Sequence, residues 1–397
     1  MELTRIQDPT RNRYRSASVG SVWDLETVRK ASALVIGAGA LGNEVTKNLA
    51  MMGVRLIVVV DRDTVEVANL TRSVFFREAD HSRLKAEVLA ERLVEVNPDV
   101  TVLSLNGDVD AVLGLGLVRR MEMVFSCLDN RLARRVVNRM CQKLGKPWVD
   151  GSMENLLGDV TAYLPDGGPC YECTLTRIDQ EIIAQAVSCK GIALQNLASG
   201  KVPTFSTMGS IIAALQVQEG LKFLHGHARQ SLGGKKLVIN SEYNDFYVTR
   251  ADRDEECAGH FRYGTITEVP EWTSRETSAR ELLERFERDS GCRGYLRLGR
   301  EIVKELFCAT CDTSQELFQL RNCITIESFL CPTCGKAREM QTTSVVKGNE
   351  PFSDWPLARL GVPRLEILEV FGESHHAWYE LTGDLVQFPA IAEAKAN

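Results

Sequence analysis

The chain has 397 residues, an apolar fraction of 44% and a formal net charge of −6, which is ordinary for a soluble globular protein of two domains. The acidic balance argues against a general nucleic-acid binder, and no apolar stretch approaches the length that spans a membrane. The first sixteen residues contain no apolar run, so we expect no secretory signal. Twelve cysteines without such a signal indicate a reducing, cytoplasmic location, where cysteines serve metal binding or catalysis.

Residues 33–63 predict a strand, a glycine turn, a helix and a second strand that ends in an acid. Ala33–Ile36 are small or branched apolar residues that suit a strand buried on both faces. The turn has the G-x-G-x-x-G pattern of a phosphate-binding loop, formed by Gly37, Gly39 and Gly42. Asp61 follows the second strand, where a ribose hydroxyl is usually held. The stretch predicts a nucleotide site, with a glycine turn that binds nothing as the alternative.

The chain continues to alternate strands and helices as far as residue 150. We expect strands near 100–105, 123–127 and 148–150, and helices over 82–96 and 132–144. This order predicts a Rossmann-like, doubly wound α/β fold with a mainly parallel sheet and helices on both faces. Asp63, Asn69 and Arg72 fall in a loop at the carboxyl side of that sheet, where ligands bind in such folds.

The charges beyond the second strand favour a triphosphate over a dinucleotide. A triphosphate needs added cations and a metal ion. Arg72 and Lys85 supply cations, and Asp129 ends a later strand as a possible Mg²⁺ ligand. No Walker loop occurs, so the pattern predicts ATP on a Rossmann-like loop. The alternative for each cation is a surface charge with a helix-pair partner. A nicotinamide oxidoreductase is disfavoured.

Five segments carry a family resemblance over roughly residues 10–262: GAGALGNEVTKNLAMMGV, DRDTVEVANLTRSVFF, SRLKAE, FSCLDNRLARRVVN and CYEC. In order and spacing they resemble the ThiF/MoeB superfamily of ubiquitin-activating-like enzymes, which adenylate the C-terminal glycine of a ubiquitin-like or sulfur-carrier protein with Mg-ATP. The resemblance implies that the three glycines bind the nucleotide and Asp61 the ribose. It implies that Asn69, Arg72 and Lys85 contact the triphosphate. Asp129 matches the metal-binding acid, and Arg134 a basic residue of the next helix.

The resemblance also implies a homodimer. In relatives an N-terminal R-Y-x-R element sends an arginine into the partner subunit's site. Here the element reads Arg13-Tyr14-Arg15-Ser16, with the second arginine out of register, so Arg13 or Arg15 is the candidate.

Cys189 is the candidate nucleophile for a second, thioester-forming step. It lies in the long segment between Cys173 and a helix expected over 210–224, and members of the resembled family place a catalytic cysteine in such a crossover segment. Lys190 beside it would favour the thiolate. The alternative is an incidental or buried cysteine.

Two cysteine clusters predict structural Zn²⁺ sites. Cys308-x-x-Cys311 and Cys331-x-x-Cys334 have zinc-ribbon spacing. Cys170-x-x-Cys173 is one half of a family zinc knot, and by the resemblance its other half is Cys257 with His260 in place of the commoner fourth cysteine. For the knot of Cys170, Cys173, Cys257 and His260, the alternative is that it binds no metal. Cys127, Cys141 and Cys292 are expected to be core or surface thiols.

We expect an adenylation domain over residues 1–262 and a smaller α+β domain with the zinc ribbon over 263–397. Two strands, 295–298 and 301–307, should lead into the ribbon. Ubiquitin-activating enzymes use a C-terminal domain to receive a conjugating enzyme, so the chain resembles most the bacterial activating enzymes of ubiquitin-like conjugation, whose context is antiphage defence. The open alternatives are activation of a sulfur carrier for cofactor biosynthesis and a non-catalytic scaffold for a ubiquitin-like protein.

Overall fold

The computed structural model describes residues 13–14, 22–186 and 204–392, and only the backbone of 184–186. Within these residues the first part of the chain is built on an eight-stranded sheet of order β3-β2-β1-β4-β5-β6-β7-β8. Its strands are β1 Ser32–Ile36, β2 Leu56–Asp61, β3 Thr101–Asn106, β4 Met123–Ser126, β5 Trp148–Glu154, β6 Leu157–Tyr163, β7 Lys235–Asn240 and β8 Asp245–Arg250. The helices of this part are α1 Leu25–Lys30, α2 Ala40–Met52, α3 Lys85–Val96, α4 Val109–Val112, α5 Leu115–Arg120, α6 Arg131–Leu144, α7 Arg177–Ala186 and α8 Ser206–Leu224.

The central strands are buried on both faces, which confirms the doubly wound α/β fold. In β1, Ala33 and Val35 pack into a core formed with α1, α2, α3 and α8. The alternate residues Leu34 and Ile36 pack into a second core with α4, α5 and α6. Because successive side chains of a strand point to opposite faces, a strand between two helical layers must be apolar throughout. Strands β1 to β5 pair in parallel, as predicted.

Beyond β5 the sheet continues through three antiparallel strands that the sequence did not reveal. Strand β6 pairs antiparallel with β5 and with β7, and β7 pairs with β8 at the edge. The helix expected over 82–96 begins only at Lys85, because Ser82 adopts a positive φ of 68° and its N–H donates to the Val65 carbonyl.

The C-terminal part contains a second, six-stranded sheet among the described residues, of order β11-β10-β13-β14-β9 with β12 also paired to β10. Its elements are β9 Ile266–Glu268, α9 Ala279–Ser290, β10 Gly294–Cys308, β11 Thr313–Leu320, α10 Ile326–Phe329, β12 Glu339–Val346, β13 Ile367–Gly372, β14 His376–Glu380 and α11 Pro389–Ala392. The two strands expected over 295–298 and 301–307 are one strand, β10, with register shifts in its pairing. Gly299 has a positive φ of 73° within it, which bends the strand without ending it.

The short helix α5 is held at both ends by the C-terminal part. At its first turn, the Leu115 N–H donates to the Glu366 carboxylate at 3.2 Å and the Gly116 N–H donates to the Leu365 carbonyl at 2.7 Å. At its last turn, Arg120 forms an ion pair with Glu380, and both side chains are buried. The second core also takes in apolar residues of the C-terminal part, namely Tyr263, Leu365, Ile367, Phe388 and Ile391. The two parts therefore share buried apolar and ionic contacts.

No helix in the described ranges has the length and apolar content required to cross a membrane.

The buried pair between Arg120 and Glu380 yields a stability prediction. Among the described residues, Glu380→Gln leaves the buried Arg120 guanidinium with only a 3.9 Å ion pair to the exposed Glu268, which should lower the free energy of unfolding in urea by about 3 kcal/mol. Arg120→Met combined with Glu380→Leu should recover much of that loss, since no uncompensated charge stays buried. Glu373→Gln, at an exposed turn, is the matched control. Equal stability of the Glu380 and Glu373 variants would contradict this account.

Candidate adenylation site and metal centres

The predicted nucleotide residues meet at the carboxyl edge of the parallel sheet. The chain passes from β1 to β2 on one side and places β4 on the other side of β1, so a topological switch point lies between β1 and β4. Ligands of open α/β sheets bind at such points. Gly37 follows β1, Asp61 ends β2 and Asp129 comes shortly after β4, so these residues share that edge.

The glycine turn has a shape that side chains would prevent. Gly37 adopts φ +102°, and a Cβ there would lie 2.5 Å from the Cys127 carbonyl oxygen. A Cβ on Gly42 would overlap the Gly37 carbonyl, so the start of α2 packs directly on the turn. At Gly39, by contrast, a Cβ would meet nothing within 4 Å. The turn is therefore closed on its inner side and open in front of the α2 N-terminus, where backbone N–H groups favour a phosphate.

Asn43, which the sequence analysis missed, braces this turn. Its side-chain amide donates to the Ala38 and Gly39 carbonyls at 2.9 and 3.0 Å, and its Oδ1 accepts from the Phe75 N–H at 3.1 Å. The residue is fully buried. The sequence did contain a signal for this role, because Asn43 is a polar residue on the otherwise apolar inner face of α2.

Asp61 ties the turn to β2 and keeps capacity for a ligand. Its Oδ2 accepts from the Ala38 N–H at 2.6 Å, and its Oδ1 accepts from the Asp63 N–H at 2.7 Å. Burial raises the pKa of Asp61, and the nearby charge of Lys85 opposes that shift. Each carboxylate oxygen has a further lone pair and the residue is partly exposed, so the geometry fits a ribose hydroxyl.

The candidate phosphate contacts flank the turn. Lys85 is buried and its Nζ lies 3.0 Å from Asp63 Oδ2, so the acid holds the ammonium at the ligand edge. Arg72 is partly exposed and donates to the Ala68 carbonyl at 3.0 Å. The Asn69 side chain accepts from the Glu66 N–H at 2.9 Å, which fixes the loop that carries Arg72.

Asp129 is exposed between β4 and α6. A magnesium ion usually keeps several waters and takes one or two protein carboxylates plus substrate phosphates, so a single exposed acid fits that ion. Arg134 has a structural role that the sequence did not indicate. It donates to Asp150 at 3.1 Å and to the Leu128 carbonyl at 2.6 Å, which joins the ends of β4 and β5.

Three candidate residues remain: Arg13 and Arg15 for the partner subunit's site, and Cys189 for the thioester step. Arg13 donates to the Val96 carbonyl at 3.2 Å and to Asn97 Oδ1 at 2.6 Å of its own chain. Arg15 and Cys189 lie outside the described residues, and Cys189 falls between α7 and α8.

The first metal cluster brings together Cys170, Cys173, Cys257 and His260, as predicted. Its sulfurs lie 3.8 Å (Cys170 to Cys173) and 3.7 Å (Cys170 to Cys257) apart. Tetrahedral zinc with Zn–S bonds of about 2.3 Å requires a sulfur separation of about 3.8 Å. The histidine Nε2 lies 3.2 Å from the Cys173 sulfur. Three sulfurs and one nitrogen at this spacing fit a structural Zn²⁺ site.

The second cluster joins Cys308, Cys311, Cys331 and Cys334. Cys308 ends β10 and Cys311 lies in the turn to β11, and the second pair precedes β12, which also pairs with β10. The Sγ atoms of Cys308 and Cys334 are 3.6 Å apart, and those of Cys311 and Cys331 are 4.0 Å apart. The four sulfurs therefore have the arrangement expected of a zinc ribbon, and the cluster could hold one Zn²⁺ ion.

The expected core thiols are in place. Cys127 and Cys141 are buried, and burial raises the pKa of both, that of Cys141 to about 12. Thiolates form poorly at such positions. Cys292 is partly exposed and contacts Ser290.

Both clusters should hold zinc in the purified protein, at two ions per chain by elemental analysis. Cys173→Ser and Cys334→Ser should each reduce the zinc content to about one ion, because each removes a ligand from one site only. Cys292→Ser, which lies in neither cluster, should keep two ions. Two ions retained in either ligand variant would contradict the assignment.

The regions that match known proteins cover most of the first part of the chain. Ubiquitin-like modifier-activating enzyme 5 of Dictyostelium discoideum is 30% identical over 236 residues, which cover 55% of this chain and 60% of that protein. Adenylyltransferase and sulfurtransferase MOCS3 of Bos taurus is 31% identical over 245 residues, which cover 62% of this chain and 51% of that protein. The chain thus spans about half of the curated relatives that it matches.

A crystal structure of E. coli MccB with succinimide has the same fold over 63% of this chain and 74% of that chain, with 25% identity and a TM-score of 0.52. The model of the ThiF family matches residues 12–259, which contain the glycine turn, the carboxyl edge of the sheet and the three cysteines of the first metal cluster. On this match over more than half of its length, the chain belongs to the ThiF family.

Proposed function

We propose that this chain adenylates the C-terminal glycine of a ubiquitin-like protein with ATP. The Cys189 thiolate then attacks the acyl carbon, AMP leaves, and the resulting thioester is passed to a conjugating enzyme. The observation that carries the first step is the open glycine turn at the switch point. It is bordered by Asp61 for the ribose, by Lys85 and Arg72 for phosphates and by an exposed Asp129. Membership of the ThiF family supports the same reaction class.

The chemistry of adenylation requires little covalent help from the protein. The substrate carboxylate attacks the α-phosphorus of ATP, the bond to the β-phosphate oxygen breaks, and pyrophosphate leaves with the electron pair. Arg72 and Lys85 would offset the charge that develops on the leaving phosphates. Asp129 would hold Mg²⁺, which would supply positive charge to offset that of the phosphates when bound. Asp61 would fix the adenosine through the ribose.

A protein substrate requires a docking surface, and the edge of the first sheet offers one. Strand β8 is the outer strand, and Phe246, Tyr247 and Val248 are each more than half exposed. Exposed apolar side chains on an edge strand are suited to contacts with another protein. We infer that the ubiquitin-like protein docks at this edge.

Adenylation is tested by pyrophosphate exchange into ATP in the presence of a candidate ubiquitin-like protein. Exchange should depend on the C-terminal glycine of that protein and should fall about 100-fold or more in Asp129→Ala, because the metal loses its protein ligand. The control Asp252→Ala, an exposed acid in the loop after β8, should retain the native rate. An unchanged rate in Asp129→Ala would contradict the site, and exchange absent from native protein with every candidate would favour the scaffold.

The Cys189 step is supported by the raised pKa values of three other thiols. Of the described cysteines outside the clusters, Cys127 and Cys141 are buried with raised pKa values, and burial also raises the pKa of Cys323. The cation of Lys190 would favour a thiolate at Cys189.

A reducible adduct between the chain and its ubiquitin-like partner tests this step. Incubation with Mg-ATP should yield a product on non-reducing gels that dithiothreitol removes and that Cys189→Ala abolishes. Cys292→Ala should form the adduct at the native level. Full protein conjugation by Cys189→Ala would overturn the thioester assignment.

Activation of a sulfur carrier is the second candidate, and the similarity to MOCS3 favours it. In that case adenylation would persist in Cys189→Ala and the activated glycine would pass to a sulfur donor.

Our proposal further assigns to the C-terminal part the binding of a conjugating enzyme, by the resemblance to ubiquitin-activating enzymes. It includes a homodimer in which Arg13 or Arg15 reaches the partner's site, and a role in antiphage defence.

A further inference from the structure

A cavity of about 600 Å³ lies between helix α6 and the C-terminal sheet. Its walls come from α6, from the segment after Cys257, from the bend of β10 around Gly299 and from β13. None of the glycine turn, Asp61, Lys85 or Asp129 lines it. Its volume falls in the range of pockets for small molecules, so it is a site distinct from the adenylation edge.

Helix α6 presents one mixed face to this cavity. The face repeats at intervals of three and four residues and alternates apolar with basic side chains: Leu132, Arg135, Val136, Arg139, Met140 and Lys143. A helix face that packed only against protein would be apolar throughout. Three cations on one such stripe instead suit a cavity that receives an anion.

Most charges around the cavity are already paired. Arg139 makes two hydrogen bonds to Glu172, at 2.9 and 2.8 Å. On the opposite wall, ion pairs join Arg297 to Glu369 at 3.5 Å, Arg300 to Glu366 at 2.5 Å, and Arg321 to Glu301. Within each pair the two charges neutralise each other, and the pairs hold the wall in place.

Arg135 and Lys143 are the exceptions. Within the described residues, neither forms an ion pair with a carboxylate, and the Lys143 ammonium lies over the Tyr263 ring, 5.4 Å from its centroid. Burial lowers the pKa of both side chains, because each charged group loses hydration. The nearby cations Arg139 and Arg300 add to that shift, and the acids Glu172, Glu366 and Glu369 oppose it without cancelling it. An anion in the cavity would supply the missing charge.

The spacing of the two cations defines the ligand. They are eight residues apart on α6, roughly 12 Å along the axis. Between them the face carries apolar side chains and Arg139, whose charge is already paired with Glu172. Val136 and Met140 lie on the helix, and Phe261 lies on the facing wall. We propose that the cavity binds a small organic anion with an aromatic or apolar body and a phosphate, sulfonate or carboxylate group. Since both parts of the chain form its walls, such a ligand would bridge them.

The test uses the full chain with saturating Mg-ATP, so that the adenylation site is occupied, and anilinonaphthalene sulfonate as the fluorescent anionic probe. Native protein should bind the probe saturably and gain thermal stability from it. Arg135→Gln combined with Lys143→Gln should weaken binding at least tenfold and abolish that gain. The matched control, Arg177→Gln with Arg293→Gln, removes two exposed cations away from the cavity and should bind within twofold of native protein.

A neutral naphthylamine probe without the sulfonate separates charge from apolar affinity. Its binding should be the same in native protein and in the double variant. Arg135→Lys with Lys143→Arg, which keeps both charges, should retain probe binding, and the single Arg135→Gln change should weaken it about threefold. Equal affinity of the sulfonate probe for the double variant and its control would overturn the proposal, as would an equal loss of the neutral probe.

Discussion

The close approach of the glycine turn to the end of β4 is the constraint on which the ligand edge depends. Gly37 must take a positive φ and carry no side chain, because the Cys127 carbonyl lies directly against it. The same contact places the α2 N-terminus at the switch point. The hydrogen bond from Ala38 N–H to Asp61 then locks the turn to β2. Three strand ends are thereby fixed relative to one another before any ligand binds, which is the preorganisation that electrostatic catalysis requires.

Helix α6 connects this edge to the rest of the molecule. Its first turn follows Asp129, and Arg134 in its second turn ties the ends of β4 and β5 together. Farther along, Arg139 holds Glu172 beside the first metal cluster. Near its end, the Lys143 carbonyl accepts from the Tyr263 N–H at 2.9 Å, where the chain enters the C-terminal part. One helix thus contacts the ligand edge, the first metal cluster and the C-terminal part.

Local patterns in the sequence predicted the features that depend on neighbours along the chain. The turn from Gly37 to Gly42 and its flanking strands follow from apolar period and glycine spacing, and the zinc-ribbon cluster follows from two C-x-x-C motifs. The pairing of Cys170 and Cys173 with Cys257 and His260 came from the family resemblance. Long-range contacts could not be predicted in this way. The pairing of β6 to β8, the buried Glu380 that meets Arg120, and the role of Asn43 as a brace depend on tertiary packing. A glutamate in a strand pattern is ordinarily exposed, so only the fold reveals its buried partner.

The central claim is that the open carboxyl edge transfers AMP to a protein C-terminus. The most direct measurement is the intact mass of a candidate ubiquitin-like protein after incubation with the chain, Mg²⁺ and ATP, quenched in acid. The account predicts a gain of one AMP on the C-terminal glycine, and no gain when that glycine is removed. An unmodified mass with a partner that binds the chain tightly would contradict it.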